Sequence, residues 1–133
     1  MKVKILVTAL FALFSLAAFA GLHAPVALLI DLDNRFAQGD MLTAANSVNS
    51  DELIGCGVRS FDGGYRFGFC QASDDDGNSV ACFTEDNTLV DTIQGIADHS
   101  YIQFSWDDDG AGNLTCTAIG VSTQSFYIDK IKN

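Results

Sequence analysis

A chain of 133 residues suits a single domain with a modest core. Seventeen acidic residues against seven basic ones leave a net charge of −10, and a surface of that sign repels nucleic acid and anionic lipid. Nucleic-acid binding is excluded on that ground, and solubility, a basic partner or cation binding remain as meanings of the charge.

The chain opens with the pattern of an export leader. Lys2 and Lys4 precede an apolar run from Ile5 to Phe19, broken only by Thr8 and Ser15, that ends in Ala18-Phe19-Ala20. A charged start, an apolar centre and an A-x-A end are the three parts of a secretory signal peptide. The run is also shorter than the roughly 20 apolar residues that cross a bilayer as a helix. Residues 1–20 are therefore expected to be removed, after Ala20 or alternatively after Ala24, and no cysteine follows the run to carry a lipid. The remaining 113 residues, 21–133, are expected to form one secreted or periplasmic domain with an N-terminal arm over 21–50 and no membrane attachment. Both leader lysines leave with the signal, so five basic residues would face seventeen acids and the charge would become −12.

After the leader, Pro25 to Asp33 reads as a short strand or extended arm, Gln38-Gly39-Asp40 as a turn, and Met41 to Asn49 as another short strand. Glu52 to Arg59 alternates, with Ile54, Cys56 and Val58 on one face. Phe61-Asp62-Gly63-Gly64-Tyr65 is a hairpin turn. Tyr65 to Ala72 places Tyr65, Phe67 and Phe69 on one face and Cys70 on the other. Asp74-Asp75-Asp76-Gly77-Asn78 turns the chain into Ser79 to Thr84. Asp86 or Asn87 can cap a helix over Thr88 to about Asp98, where Leu89, Ile93, Ile96 and Ala97 recur at helical spacing. Tyr101 to Trp106 is a strand with Ile102, Phe104 and Trp106 on one face; Asp107 to Asn113 is a longer turn; Leu114 to Val121 returns; and Ser125 to Ile128 forms a final short strand. Strands, one helix and more strands predict an α+β fold: an antiparallel sheet of five to six strands, built of hairpins, packed against one helix and stapled by disulfides.

All four cysteines, Cys56, Cys70, Cys82 and Cys116, follow the leader, and an even count in an exported chain reads as two bridges. Their long spacing, with no C-x-x-C pair, disfavours zinc. If Gly64 is left-handed in a three-residue loop, Phe61 pairs with Tyr65 and Cys56 faces Cys70 at a non-hydrogen-bonded position, where side chains are closer. The same count places Cys70 opposite Cys82, but at a hydrogen-bonded position. This favours Cys56–Cys70 with Cys82–Cys116, while a one-residue slip in register would reopen the other pairings.

The aspartate runs Asp74-Asp75-Asp76-Gly77-Asn78 and Asp107-Asp108-Asp109-Gly110 resemble one another, and each precedes a strand with a cysteine. Neither fits the calcium-loop pattern: counted from Asp74, position six is Ser79 and position twelve Glu85, and counted from Asp107, position twelve is Ala118. Aspartate, asparagine and glycine are what hairpin turns prefer, so turn chemistry is the expectation and weak calcium binding the alternative. His99, just past the helix, is expected to favour the helix C-terminus rather than to act as a base, and His23 lies near the new N-terminus. No G-x-S-x-G, H-E-x-x-H or phosphate-binding loop occurs, and Asp62 with Glu85 is one of many carboxylate pairs that an acidic chain offers.

Tyr65, Phe67, Phe69, Tyr101, Phe104, Trp106, Phe126 and Tyr127 are many aromatics for so small a domain. Alternating aromatics usually pack against a helix; a stripe that faces solvent makes a ligand or partner site, and Tyr65 and Tyr101, beside polar turns, are the ones expected to be exposed.

Gly39-Asp40-Met41, Thr43-Ala44-Ala45-Asn46-Ser47, Ile54-Gly55-Cys56, Gly68-Phe69-Cys70-Gln71-Ala72, Cys82-Phe83-Thr84, Ile96-Ala97-Asp98, Phe104-Ser105-Trp106 and the run from Ile119 to Tyr127 resemble a family of small secreted bacterial proteins of unknown function. The resemblance spans Gly39 to Tyr127 and implies export and a shared fold, with no mechanism to carry over. An added Ala111-Gly112 departs from the family and implies a looser last turn. Together these readings predict a monomeric, non-enzymatic module without a cofactor that binds a protein or surface ligand, an inhibitor being one such form. A small carboxylate-dependent hydrolase and a calcium-stabilised structural protein are the alternatives.

Overall fold

Seven strands and two short helices form within residues 21–129, the part of the chain that the computed structural model describes. The expected signal peptide, 1–20, lies outside the described residues. Among the described residues no helix is long and apolar enough to cross a membrane.

Three strands form by successive hairpins: β3 (Leu53–Ser60), β4 (Arg66–Ser73) and β5 (Ser79–Thr84). Gly63 and Gly64 turn the first hairpin with φ of +89° and +90°, a region that side chains disfavour, and the Phe61 amide donates to the Tyr65 carbonyl at 2.8 Å. The register follows from that turn. Cys56 stands opposite Cys70, and beyond the second turn Cys70 stands opposite Cys82.

A second antiparallel group contains β1 (Leu29–Asp31), β2 (Phe36–Asp40), β6 (Tyr101–Asp108) and β7 (Leu114–Ser122). The sheet order is β1-β2-β6-β7-β5-β4-β3, and one parallel bridge, Phe83 with Thr115, joins the two groups. The expected sheet of five to six antiparallel strands is therefore corrected to seven mixed strands. The reason is the connection after β5. Helix α2 (Asn87–Gln94) packs over β3, β4 and β7, and the chain then enters the sheet at β6, one strand beyond β7. When it turns back, β7 runs parallel to β5.

Cys82–Cys116 links the same two strands as that single bridge, and Cys56–Cys70 links β3 to β4. A bulge makes the first link possible. Ser105 pairs with Ala118 but Trp106 with Cys116, so Thr117 is extra and the strand changes face between Ala118 and Cys116. Cys116 thereby turns inward beside Trp106, and both are buried.

The N-terminal arm is part of the sheet rather than an appendage. Gln38-Gly39-Asp40, expected as a turn, completes β2, because Ala37 and Gly39 face the core and the Leu28 backbone lies close against Gly39, where a Cβ would meet Leu28 Cα at 3.1 Å. Met41 to Asn49, expected as a strand, begins as helix α1 (Met41–Ala45), because Asp40 caps it by accepting from the Thr43 amide at 2.7 Å. Asp40 is fully buried, and its other oxygen accepts from the Val26 amide at 2.6 Å and the Thr43 hydroxyl at 2.7 Å. The second helix starts on the predicted Asp86 cap but stops at Gln94, with Gly95 as its C-cap. Ser125–Tyr127, expected as a strand, is a 3₁₀ turn that buries Tyr127 against Tyr101, ring centroids 5.9 Å apart.

Ile54, Ala72, Val80, Cys82, Ile102, Phe104 and Trp106 point to the helix-covered face, as alternation predicts, and Val90 and Ile93 of α2 close over them. Gly68 sits beneath the helix, where a Cβ would meet Ile93 Cδ1 at 2.5 Å. Arg66 clamps the helix from its edge through Asn87 and a 2.9 Å ion pair with Asp91.

Candidate functional site

Because the helices cover one face of the β3-β4-β5 hairpins, every side chain of opposite parity faces outward. On β4 the aromatic ones are Phe67 and Phe69, with Tyr65 just before the strand; Phe83 on β5 and Phe61 in the hairpin turn join them. The five rings form one chain of contacts with centroids 5.7 to 6.5 Å apart. Phe61, Tyr65 and Phe83 are 54, 51 and 53 % exposed, so the cluster is a surface and not a second core.

Two charged groups border it. At one end the Arg59 guanidinium lies 5.0 Å from the Phe69 ring centroid and donates to the Val58 carbonyl. At the other, Glu85 accepts the Tyr65 hydroxyl hydrogen at 2.9 Å, which raises the Tyr65 pKa above its ordinary value of 10.0. Between the rings and Glu85 runs an open groove of about 500 Å³ lined by Tyr65, Phe67, Phe83, Thr84, Glu85 and Thr115. Phe67 is tilted 41° to Tyr65 and 55° to Phe83, so neighbouring rings meet at an angle along the groove.

The four predicted disulfide cysteines are brought together as Cys56–Cys70 and Cys82–Cys116, the favoured pairing. The aspartate runs fold as turns. Asp74 Oδ1 accepts from the amides of Asp76 and Asn78, and Oδ2 accepts from the Asn78 side chain. Asp109 does the same with Ala111, Asn113 and the Asn113 side chain, so its counterpart is Asp74 and the apparent match between Asp74 and Asp107 is out of register by two. Ala111 is thus held by Asp109, and the last turn is as well tied as the first. No group of three or more histidine, cysteine, aspartate or glutamate side chains is placed to share a metal among the described residues.

Of the suggested carboxylate pair, Glu85 lines the groove, while Asp62 accepts from the Gly63 amide in the hairpin turn. His99 lies in the turn before β6 with φ of +66°, beyond the Gly95 cap of the helix. His23 approaches Asp129 at 4.0 Å. Tyr101, expected to be exposed, is half-covered by Tyr127 and donates to Gln38 at 2.8 Å. Phe61 and Phe83 are the surface aromatics that sequence reasoning missed. For Phe83 the signal was present, since it alternates with Cys82, whose bridge fixes that parity inward.

The fold and this surface define a class: a small, disulfide-stapled, mostly β domain with two short helices on one sheet face and an aromatic surface on the other. No family model matches the chain, and neither the curated proteins nor the solved structures provide a match to it.

Proposed function

We propose that this protein is a secreted, non-enzymatic binding module whose contact surface is the aromatic cluster of Phe61, Tyr65, Phe67, Phe69 and Phe83. The observation that carries this reading is the exposure of three of these rings on the outer face of the β3-β4-β5 hairpins, which no other element covers among the described residues. Contiguous exposed aromatic area is costly to leave in water, and aromatic residues are the ones that concentrate binding energy in interfaces. The leader pattern and the two disulfides support an oxidising compartment outside the cytoplasm. The acidic surface supports a partner that is neutral or basic.

The test is a binding screen over peptide and glycan arrays with the purified protein and the double variant Phe61→Ser/Phe83→Ser. Both rings are exposed, so the variant is expected to fold. At least one ligand should bind the wild type and lose about thirtyfold or more in affinity with the variant, the scale of one interfacial hot spot. A screen in which every ligand binds both proteins equally rejects the aromatic surface as the site.

A further inference from the structure

We propose that the groove between Tyr65, Phe67 and Phe83 receives the guanidinium of an arginine in a basic segment of a partner protein. This rests on the binding-module reading and names the chemistry of its ligand. Three observations lead to it. The groove is walled by aromatic rings and carries one carboxylate, Glu85, with no cation among its lining residues. Ring faces are the negative side of the aromatic quadrupole, so rings together with a carboxylate make a site for an organic cation. Secondly, the same cluster already holds a cation of this kind, since Arg59 lies 5.0 Å over Phe69 at its far end. Phe67 links the two ends, 6.5 Å from Phe69 and 6.2 Å from Phe83. The intramolecular contact thus shows the geometry that an incoming arginine would repeat.

Thirdly, the whole chain is complementary in sign. A net charge of −10 draws a basic segment from a distance and repels an acidic one, and the effect deepens if the two leader lysines are removed. A zwitterionic choline headgroup could fill an aromatic groove but would gain nothing from that long-range field. A neutral sugar could stack on the rings but would have no use for Glu85 as a charge. Of these three only the guanidinium uses both, and unlike a lysine ammonium it also presents a flat face to the rings and a fork of donors to the carboxylate.

The test titrates the purified protein with a hexaarginine peptide, following the aromatic side-chain signals of the groove by NMR. Three variants separate the contributions. Phe83→Leu keeps an apolar side chain and removes the ring; Glu85→Gln keeps an acceptor for the Tyr65 hydroxyl and removes the charge. Asp51→Asn removes an equal charge beyond the opposite end of β3. Hexaarginine should weaken about fivefold with Phe83→Leu and about threefold with Glu85→Gln, the range of an exposed cation–π or charged contact, and hardly at all with Asp51→Asn. Equal losses with Glu85→Gln and Asp51→Asn would show diffuse attraction and overturn the proposal, as would full binding by Phe83→Leu. Triacetylchitotriose and phosphatidylcholine vesicles are the competing probes. Binding of either that depends on Phe83 and exceeds that of hexaarginine overturns the cationic ligand while leaving the binding surface standing. An array screen without any ligand that depends on the cluster removes the surface itself.

Discussion

The ring of Phe69 on β4 lies so close to its cross-strand partner Gly57 on β3 that a methyl group at Gly57 would come within 2.7 Å of Phe69 Cζ. A glycine inside a strand lacks a side chain to pack, and an aromatic partner folded across it restores that contact. The arrangement also sets the ring beneath Arg59, and so fixes the one cation that the cluster holds.

Gly57→Ala therefore tests how the cluster is built. Phe69 borders solvent and can swing aside, and alanine in a strand recovers roughly 0.5–1 kcal/mol over glycine, so stability should change by less than about 1 kcal/mol. The ring-current shift that Phe69 imposes on the Arg59 side chain should disappear from the NMR spectrum. Gly68→Ala meets Ile93, which is pinned in the core under α2, and should cost about 1–3 kcal/mol in urea unfolding. Gly57→Ala proving the more damaging of the two would contradict this placement of the glycines.

The two bridges close loops of different length, 14 and 34 residues apart in sequence. Loss of either by paired alanine substitution should cost about 2–4 kcal/mol, and on chain entropy the longer loop should cost roughly 0.8 kcal/mol more. Cys82–Cys116 also holds the junction where a single parallel bridge joins the two strand groups. Its removal should accelerate amide exchange in β5 and β7 before the β3–β4 hairpin, as a hydrogen-exchange map will read directly.

Asp40 ties three segments with one buried carboxylate: the arm at Val26, the end of β2, and the first turn of α1 through Thr43. Asp40→Ala leaves those donors unpaired in a buried place, and should cost about 2–4 kcal/mol by denaturant unfolding. The amides of Val26 and Thr43 should exchange faster in the variant. An unchanged midpoint would mean that water replaces the carboxylate without loss.

Acid should loosen the turns through Asp109 and Asp31. Hydrogen bonds from Asn113, joined by the Ala111 amide, hold the Asp109 pKa below its ordinary 3.8; Asn34 does the same for Asp31. A carboxylate with a lowered folded-state pKa stabilises the protein fully above its unfolded value. That contribution fades as pH falls below 3.8 through the folded pKa. Carboxyl NMR titration should place both groups below 3.8, and Asn113→Ala should return Asp109 toward that value. An Asp109 midpoint unchanged by Asn113→Ala would reject the assigned cause.

Much of the hairpin block is legible in the residues. Gly63-Gly64 fixes a turn, the turn fixes a register, and the register places Cys56 opposite Cys70 and the aromatics on the face away from the cysteines. The Asp86 cap and the spacing of Leu89 and Ile93 likewise announce α2. These signals are local, or are carried by strict alternation along one strand, and no distant partner is needed to decide them.

Residues 38–49 are misread because distant contacts decide them. Gln38-Gly39-Asp40 carries turn residues, yet Gly39 is selected by the approach of Leu28 and Asp40 by three donors, one of them fourteen residues away. Thr43 and Ala44-Ala45 after Asp40 were an available helix signal, outweighed by an apparent turn.

By itself, then, the sequence determined the acidic charge, the hairpin register that sets Cys56 opposite Cys70, and the parity of the β4 aromatics, all of which follow from composition or from periodicity measured from one turn. Only the tertiary structure decided the parallel seam between β5 and β7, the bulge that turns Cys116 inward, the stacking of Tyr127 on Tyr101, and which face of the β3-β4-β5 hairpins stays uncovered. Those depend on where α2 crosses the sheet and which strand edges meet, contacts between residues far apart in the chain that no local pattern encodes. The aromatic cluster became a surface, and not a second core, because both helices pack on the opposite face.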